Sequence, residues 1–220
     1  MEKIKLVILD GEGVIYNAKK TAKIFEKEYE KFLKRFGTSL NDQSKFWFRL
    51  KPKVERGKMS LRKANEIIYK KLGIPKSKVN EWLKRDREIS LKFSKLNKNI
   101  KRILSELKRK KIKIAILSDT VHPLRWRLSL FKKFGLKKRK HYDKLFLSNE
   151  IGYAKPERKA YLTVINYFKV KPSETVFVGH DKEEIEGAKK VGIKTIGIGK
   201  ESKADHIIKN LKELMKIIDH

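Results

Sequence analysis

The chain has 220 residues and no cysteine, and its 57 Lys and Arg outweigh 26 Asp and Glu to give a formal net charge of +31. Lack of cysteine excludes disulfide frameworks, thiolate metal sites and cysteine nucleophiles, so any catalysis rests on oxygen and nitrogen groups. A hydrophobic content of 40%, with 11 Phe, 7 Tyr and 3 Trp spread along the chain, suffices for a packed core.

The elements follow in chain order. Ile4 to Leu9 is a short apolar run rich in β-branched residues, which predicts a buried parallel strand ending at Asp10-Gly11-Glu12-Gly13. Its core, Leu6 to Leu9, is too short for a signal-peptide core or a membrane span, so the expectation is a soluble, cytoplasmic protein with no membrane partner. From Thr21 to about Phe93 the spacing becomes helical, with Ile24, Tyr29, Phe32, Leu33 and Phe36 on one stripe and Ala64, Ile67, Ile68 and Leu72 on another. Gly37, Gly57 and Gly73-Ile74-Pro75 punctuate this all-helical insert.

A helix carrying Ile100, Ile103, Leu104 and Leu107 then leads into a second strand, Ile112 to Leu117, ending at Ser118-Asp119-Thr120. Alternation continues with a helix from about Pro123 to Phe134, a strand near Lys144 to Ser148, a helix from Lys159 to Phe168 and a strand from Thr175 to Val178. A helix from Glu183 to Val191, a strand from Lys194 to Ile198 and a closing helix from about His206 to Ile218 complete the chain. Strands alternating with helices of this length predict right-handed crossovers and a parallel sheet covered on both faces. In such sheets ligands sit beyond the carboxyl ends of the strands. Asp10, Ser118, Gly179 and His180 all fall at predicted carboxyl ends.

The positive charge is spread evenly, about +15 between Asn17 and Lys95 and about +16 on the rest. A dedicated nucleic-acid surface concentrates its charge. The run Lys132, Lys133, Lys137, Lys138, Arg139, Lys140 is the one local candidate for such a surface. A lysine-rich composition of the kind used by proteins that work hot is favoured over a nucleic-acid role.

Asp10 alone reads as a turn residue. Its company is what points to chemistry: Glu12 two residues on, Ser118 at the end of a strand, Lys155 on a Lys155-Pro156 step and the acidic stretch Asp181 to Glu184 after a further strand, in that order. With these residues the sequence resembles the haloacid dehalogenase superfamily. The family's first motif, an apolar strand ending in Asp, any residue, Asp, then Gly and Thr or Val, appears as Val7-Ile8-Leu9-Asp10-Gly11-Glu12-Gly13-Val14. The second, a strand ending in Ser or Thr, matches Ile114-Ala115-Ile116-Leu117-Ser118, and the third, a Lys commonly followed by Pro, matches Gly152-Tyr153-Ala154-Lys155-Pro156. The fourth corresponds to Val176-Phe177-Val178-Gly179-His180-Asp181-Lys182-Glu183-Glu184. Arg56-Gly57-Lys58-Met59-Ser60 within the helical insert is similar to a phrase of the family's small cap.

The resemblance implies an α/β fold, a Rossmann-like parallel-sheet core of residues 1–16 and 96–220 with an inserted all-helical cap domain of residues 17–95. It implies a phosphatase acting on a small phosphorylated metabolite, with Asp10 as nucleophile, Glu12 as acid and base, and Ser118 and Lys155 stabilising charge. Gly11, Asp119 and Thr120 are the candidate phosphate contacts, with Asp119 and Thr120 also open as caps of the helix that follows. Mg²⁺ is the implied cofactor, with Asp10, Glu12, His180, Asp181 and Glu184 as candidate ligands.

Two positions depart from the pattern. Glu12 stands where the family has Asp, and one added methylene moves the carboxyl by about 1.5 Å, when a misplacement of about 1 Å can cost ~10²-fold in rate. His180 stands where the family has a metal-binding Asp, and imidazole suits Mn²⁺, Co²⁺, Ni²⁺ or Zn²⁺ better than Mg²⁺. Asp181 and Glu184 both remain open as the replacement carboxylate, and a surface-loop role remains open for His180. His122 reads equally as a substrate neighbour or a helix-start residue, Trp47, Trp82 and Trp126 as core or interface, and the Lys108 to Lys113 run as a solvated helix end. Two other functions are carried alongside: a weakened binding or regulatory protein, with nucleic acid as a candidate partner, and a 2-haloacid dehalogenase. Monomer and homodimer are both open.

Overall fold

The computed structural model describes residues 3–199 and 203–218. Strand β1 (Leu6–Asp10) sits at the centre of a six-stranded parallel sheet. On one side lie β4 (Lys113–Ser118) and β5 (Lys144–Leu147), and on the other β6 (Thr175–Gly179), β7 (Lys194–Ile198) and β8 (His206–Ile208). All five residues of β1 are buried because helices cover both faces. Val7 and Leu9 pack with Ile103, Leu104 and Leu107 of α5 (Ile100–Arg109) and Leu130 of α6 (Leu124–Lys133). Leu6 and Ile8 face the opposite cluster, built on Tyr161 and Val164 of α8 (Arg158–Phe168) and Ile185 of α9 (Lys182–Lys189).

Register fixes what meets at the carboxyl edge. Asp10 pairs with Leu117 of β4, and Leu9 pairs with Val178 of β6. The residues just beyond, Gly11, Ser118 and Gly179, therefore leave the sheet side by side. The chain runs from β1 to β4 and β5 on one side and then crosses to β6 on the other, which makes this the switch point where a crevice opens.

Between β1 and β4 the chain forms a short antiparallel ribbon, β2 (Tyr16–Asn17) with β3 (Lys95–Leu96), and between its strands four helices: α1 (Lys19–Lys34), α2 (Leu40–Glu55), α3 (Leu61–Lys71) and α4 (Lys78–Phe93). Ser39 and Ser60 cap α2 and α3, their hydroxyls accepting from the Asp42 and Lys63 amides. The four helices share their own apolar cluster, centred on Tyr29, Phe32, Leu33, Ile68, Tyr69 and Trp82. Tyr29 and Trp82 stack with ring centroids 4.2 Å apart. At the root of the helices Asn97 donates its side-chain amide to the carbonyls of Gly13 and Val14, at 2.8 and 2.9 Å.

The expected closing helix over 206–218 is a correction. His206–Ile208 is instead the sixth strand, parallel to β7, and only α10 (Leu214–Ile218) is α-helical. The exposed backbone edge of β7 offers hydrogen bonds that a short β-branched run takes up readily, and Asp205 pins the junction by accepting from both the amide and the hydroxyl of Thr195. The short helix α7 (Ser148–Ile151) follows β5 directly and has too little sequence to show a period. Among the described residues no helix is long and apolar enough to cross a membrane.

Trp82 is 3% exposed and Phe48 is 71% exposed. Trp82→Ala is expected to lower the free energy of unfolding by about 3–5 kcal/mol, whereas Phe48→Ala stays within about 0.5 kcal/mol. Urea denaturation followed by circular dichroism measures both.

Candidate active site

Asp10 is the last residue of β1 and is 5% exposed, a position where a lone carboxylate would be too costly to keep ionised. Lys155 resolves this. Its Nζ lies 2.5 Å from Asp10 Oδ1 and 2.9 Å from Glu184 Oε2, and the Gly11 amide also donates to Oδ1 at 2.7 Å. On the other oxygen, His180 Nδ1 lies 3.3 Å from Oδ2. Burial alone would raise the Asp10 carboxyl, but Lys155 and His180 hold it below the ordinary carboxylate range. Burial likewise opposes charge on Lys155, yet Asp10, Glu184 and Asp119 keep its ammonium far above the usual lysine range. His180 is shifted up by its hydrogen bond to Asp10. Removal of Lys155 alone would leave an unpaired buried anion, a loss of about 3–5 kcal/mol by the behaviour of other buried pairs.

Close packing explains two glycines. A Cβ on Gly11 would stand 2.5 Å from Ser118 Oγ, so only glycine lets the first loop pass the end of β4. Gly13 has φ +87°, and a Cβ there would stand 2.4 Å from His180 Nδ1. The Ser118 hydroxyl thus lies against Gly11, one residue from Asp10, buried at 3% exposure.

The other expected residues divide. Asp119 accepts from the Lys155 amide through Oδ1 at 3.1 Å, and burial pushes its carboxyl up to about 6. Thr120 is buried and its hydroxyl accepts from Arg127 and from the His122 amide. Glu184 is brought in through Lys155, with burial raising it to about 7. Asp181 is not brought to Asp10 in this way: its Oδ1 caps α9, accepting from the Glu183 and Glu184 amides at 2.9 and 3.1 Å. Glu12 lines a cavity of about 350 Å³ between the sheet edge and α1–α4, close enough to Asp10 and His180 to feel both charges. Burial raises its carboxyl above the usual range, with Arg127 opposing.

Arg127 is the residue that sequence reasoning missed. Its guanidinium donates to the Tyr16 hydroxyl and to Thr120 Oγ1, and lines the same cavity as Glu12. One cation among 57 carries no distinguishing signal in sequence. The cavity is otherwise mainly apolar, walled by Phe25, Tyr29, Trp47 and Trp82. Across it Asp86 of α4 meets His122 Nε2 at 3.0 Å, and the His122 ring stacks on Trp126.

The donor set does not fit Mg²⁺. That ion demands near-octahedral oxygen coordination, whereas Asp10 Oδ2 faces an imidazole nitrogen, Glu184 is engaged by Lys155 and Asp181 by its helix. Among the described residues no three His, Asp or Glu side chains come together as a metal site.

Comparison with known proteins agrees with this architecture. The chain is 26% identical over 193 residues to a phosphorylated carbohydrates phosphatase of Thermotoga maritima, covering 88% of this chain and 84% of that one. Among solved structures, a HAD phosphatase from Thermococcus onnurineus superposes with a TM-score of 0.70 at 24% identity, over 98% of both chains. A 2-haloacid dehalogenase from Pseudomonas syringae pv. Tomato superposes with a TM-score of 0.73 at 17% identity, also over 98% of both. The profile of the haloacid dehalogenase-like hydrolases matches residues 4–192, and with the α/β sheet described above it makes this chain a member of that family.

Proposed function

We propose that the chain hydrolyses small phosphate monoesters through an aspartyl-phosphate on Asp10. The observation that carries this reading is the buried Asp10 carboxylate, kept ionised by Lys155 and two residues before Glu12, which itself lines the cavity under the four helices. In the first step an Asp10 oxygen bonds to phosphorus while the bond to the leaving oxygen breaks. That oxygen takes its proton from Glu12. In the second step Glu12, now a carboxylate, takes a proton from water as the water oxygen attacks phosphorus; the Asp10–phosphorus bond breaks and inorganic phosphate departs. Dividing one displacement into two lowers each barrier. Lys155 and the Ser118 hydroxyl are the groups able to offset charge on the phosphoryl oxygens.

The raised Glu12 carboxyl suits both roles, since an acid and base works best when it titrates near the working pH. The four helices act as a cap on this reading, residues 17–95 over a core of residues 1–16 and 96–220, and the leaving group lies in the cavity. Its walls of Phe25, Tyr29, Trp47 and Trp82 favour a leaving group with an apolar face over a bare polyol. Arg127 is placed to meet a second anionic or carbonyl group beside Glu12.

A second reading is favoured by the donor set that does not fit Mg²⁺. Halide displacement at carbon uses the same carboxylate attack and needs no cation. Release of chloride from a 2-chloroacid, with aryl phosphates left intact, would select it.

Asp10→Asn is expected to lower aryl phosphate turnover by at least about 10³-fold, with wild-type folding confirmed by its melting curve. Unchanged turnover would reject the proposal. Glu12→Gln tests the acid and base. In wild type, turnover falls above the raised Glu12 range because ionised Glu12 has no proton for the leaving oxygen, and it falls below that range because protonated Glu12 cannot accept a proton from water, an acid limb that lies above the ordinary glutamate range. Glu12→Gln should remove that limb and slow turnover by about 10²–10⁴-fold. A pH profile of kcat for both proteins reads it.

A further inference from the structure

At most sites of this kind a cation must offset the charge that gathers on nucleophile and phosphoryl group. Here nitrogen groups already surround the nucleophile. Asp10 Oδ1 receives the Lys155 ammonium at 2.5 Å and the Gly11 amide at 2.7 Å. Oδ2 faces His180 Nδ1 at 3.3 Å. A separation near 3 Å also suits two neighbouring ligands of one octahedral ion, so distance alone does not decide between a ligand and a substitute. The remaining acidic groups decide it. A cation at Oδ2 would need further oxygen donors, but Glu184 holds Lys155, Asp181 caps α9, and among the described residues no three His, Asp or Glu side chains gather as a metal site.

The ring also fits its seat. Gly13 lacks the Cβ that would stand 2.4 Å from Nδ1 and 2.5 Å from Cε1, so the first loop leaves room for an imidazole against Asp10. The β6–α9 loop that carries His180 is held in turn by the Asp181 cap, which fixes the residue after it to the helix start. The ring is half exposed, so one face of it meets solvent while Nδ1 meets Oδ2.

We infer that this chain works without a resident divalent cation, and that the His180 imidazole takes the face of Asp10 where one would otherwise bind. His180 then has a direct part in the chemistry, donating Nδ1–H to the nucleophile's carboxylate, with Lys155 covering the other oxygen. The idea rests on Asp10 as the nucleophile, but its test reads cation binding and so stands apart from whether phosphate esters are the substrate.

The experiment is Mn²⁺ binding to the full chain, followed by loss of the free-ion electron paramagnetic resonance signal, for wild type and His180→Asp. Loss of even an outer partner of a metal ligand costs about 10–100-fold in affinity, so gain of a direct carboxylate ligand should tighten Mn²⁺ binding by at least about 100-fold over wild type. His180→Asn, equal in bulk to Asp but neutral, should bind no better than wild type. Tight stoichiometric Mn²⁺ binding by wild type would overturn the inference, and so would a His180→Asp protein that folds, by its melting curve, yet gains no affinity. Titration of wild type with Co²⁺ and Ni²⁺ completes the test: stoichiometric binding lost in His180→Ala would make His180 a metal ligand and overturn the inference, and no binding would uphold it.

Discussion

Everything at the carboxyl edge depends on one buried ion pair, Asp10 with Lys155. A carboxylate at 5% exposure survives as an anion only with a charge in contact, and Lys155 arrives from a loop between β5 and α8, far along the chain. It brings Glu184 and Asp119 with it: Glu184 through Nζ and Asp119 through the backbone amide. Three carboxylates around one ammonium leave a local excess of negative charge, and burial accordingly lifts Glu184 to about 7 and Asp119 to about 6, while Asp10 stays low. The environment thus divides chemically similar groups into a permanent anion and ready proton holders. His180 stands at the nucleophile and Arg127 lines the cavity.

The core was legible in sequence for a physical reason. A parallel strand covered on both faces must be apolar throughout, and Leu6–Leu9, Ile114–Leu117 and Val176–Val178 have no other ready explanation. Their ends are equally legible, since polar residues that follow such runs lie at the carboxyl edge by topology alone. Residues 206–218 were harder. His206–Ile208 is a strand because the edge of β7 offers it partners, a tertiary circumstance absent from local pattern. The helical segment was recognised through its stripes, but the 350 Å³ space it encloses depends on the angle at which the stripes meet, which no periodicity encodes.

Within the site, legibility followed spacing. Asp10, Ser118 and Lys155 stand at the ends of recognisable runs and meet in space or lie one residue apart. Asp181 and Glu184 could not be told apart by spacing, because the path of the loop before α9 decides which one turns toward Asp10; the structure gives the helix cap to Asp181 and the lysine to Glu184. Arg127 was invisible for the opposite reason. In a chain with net charge +31, a functional cation looks like every other, and only its two hydroxyl partners and its cavity position mark it.

The central claim is covalent attack by Asp10. The most direct measurement is mass spectrometry of the chain mixed with an aryl phosphate and quenched in acid within one turnover, then digested. The account predicts one phosphoryl increment on the peptide carrying Asp10, absent in Asp10→Asn. Turnover with no increment on that peptide, or an increment on another residue, would contradict it.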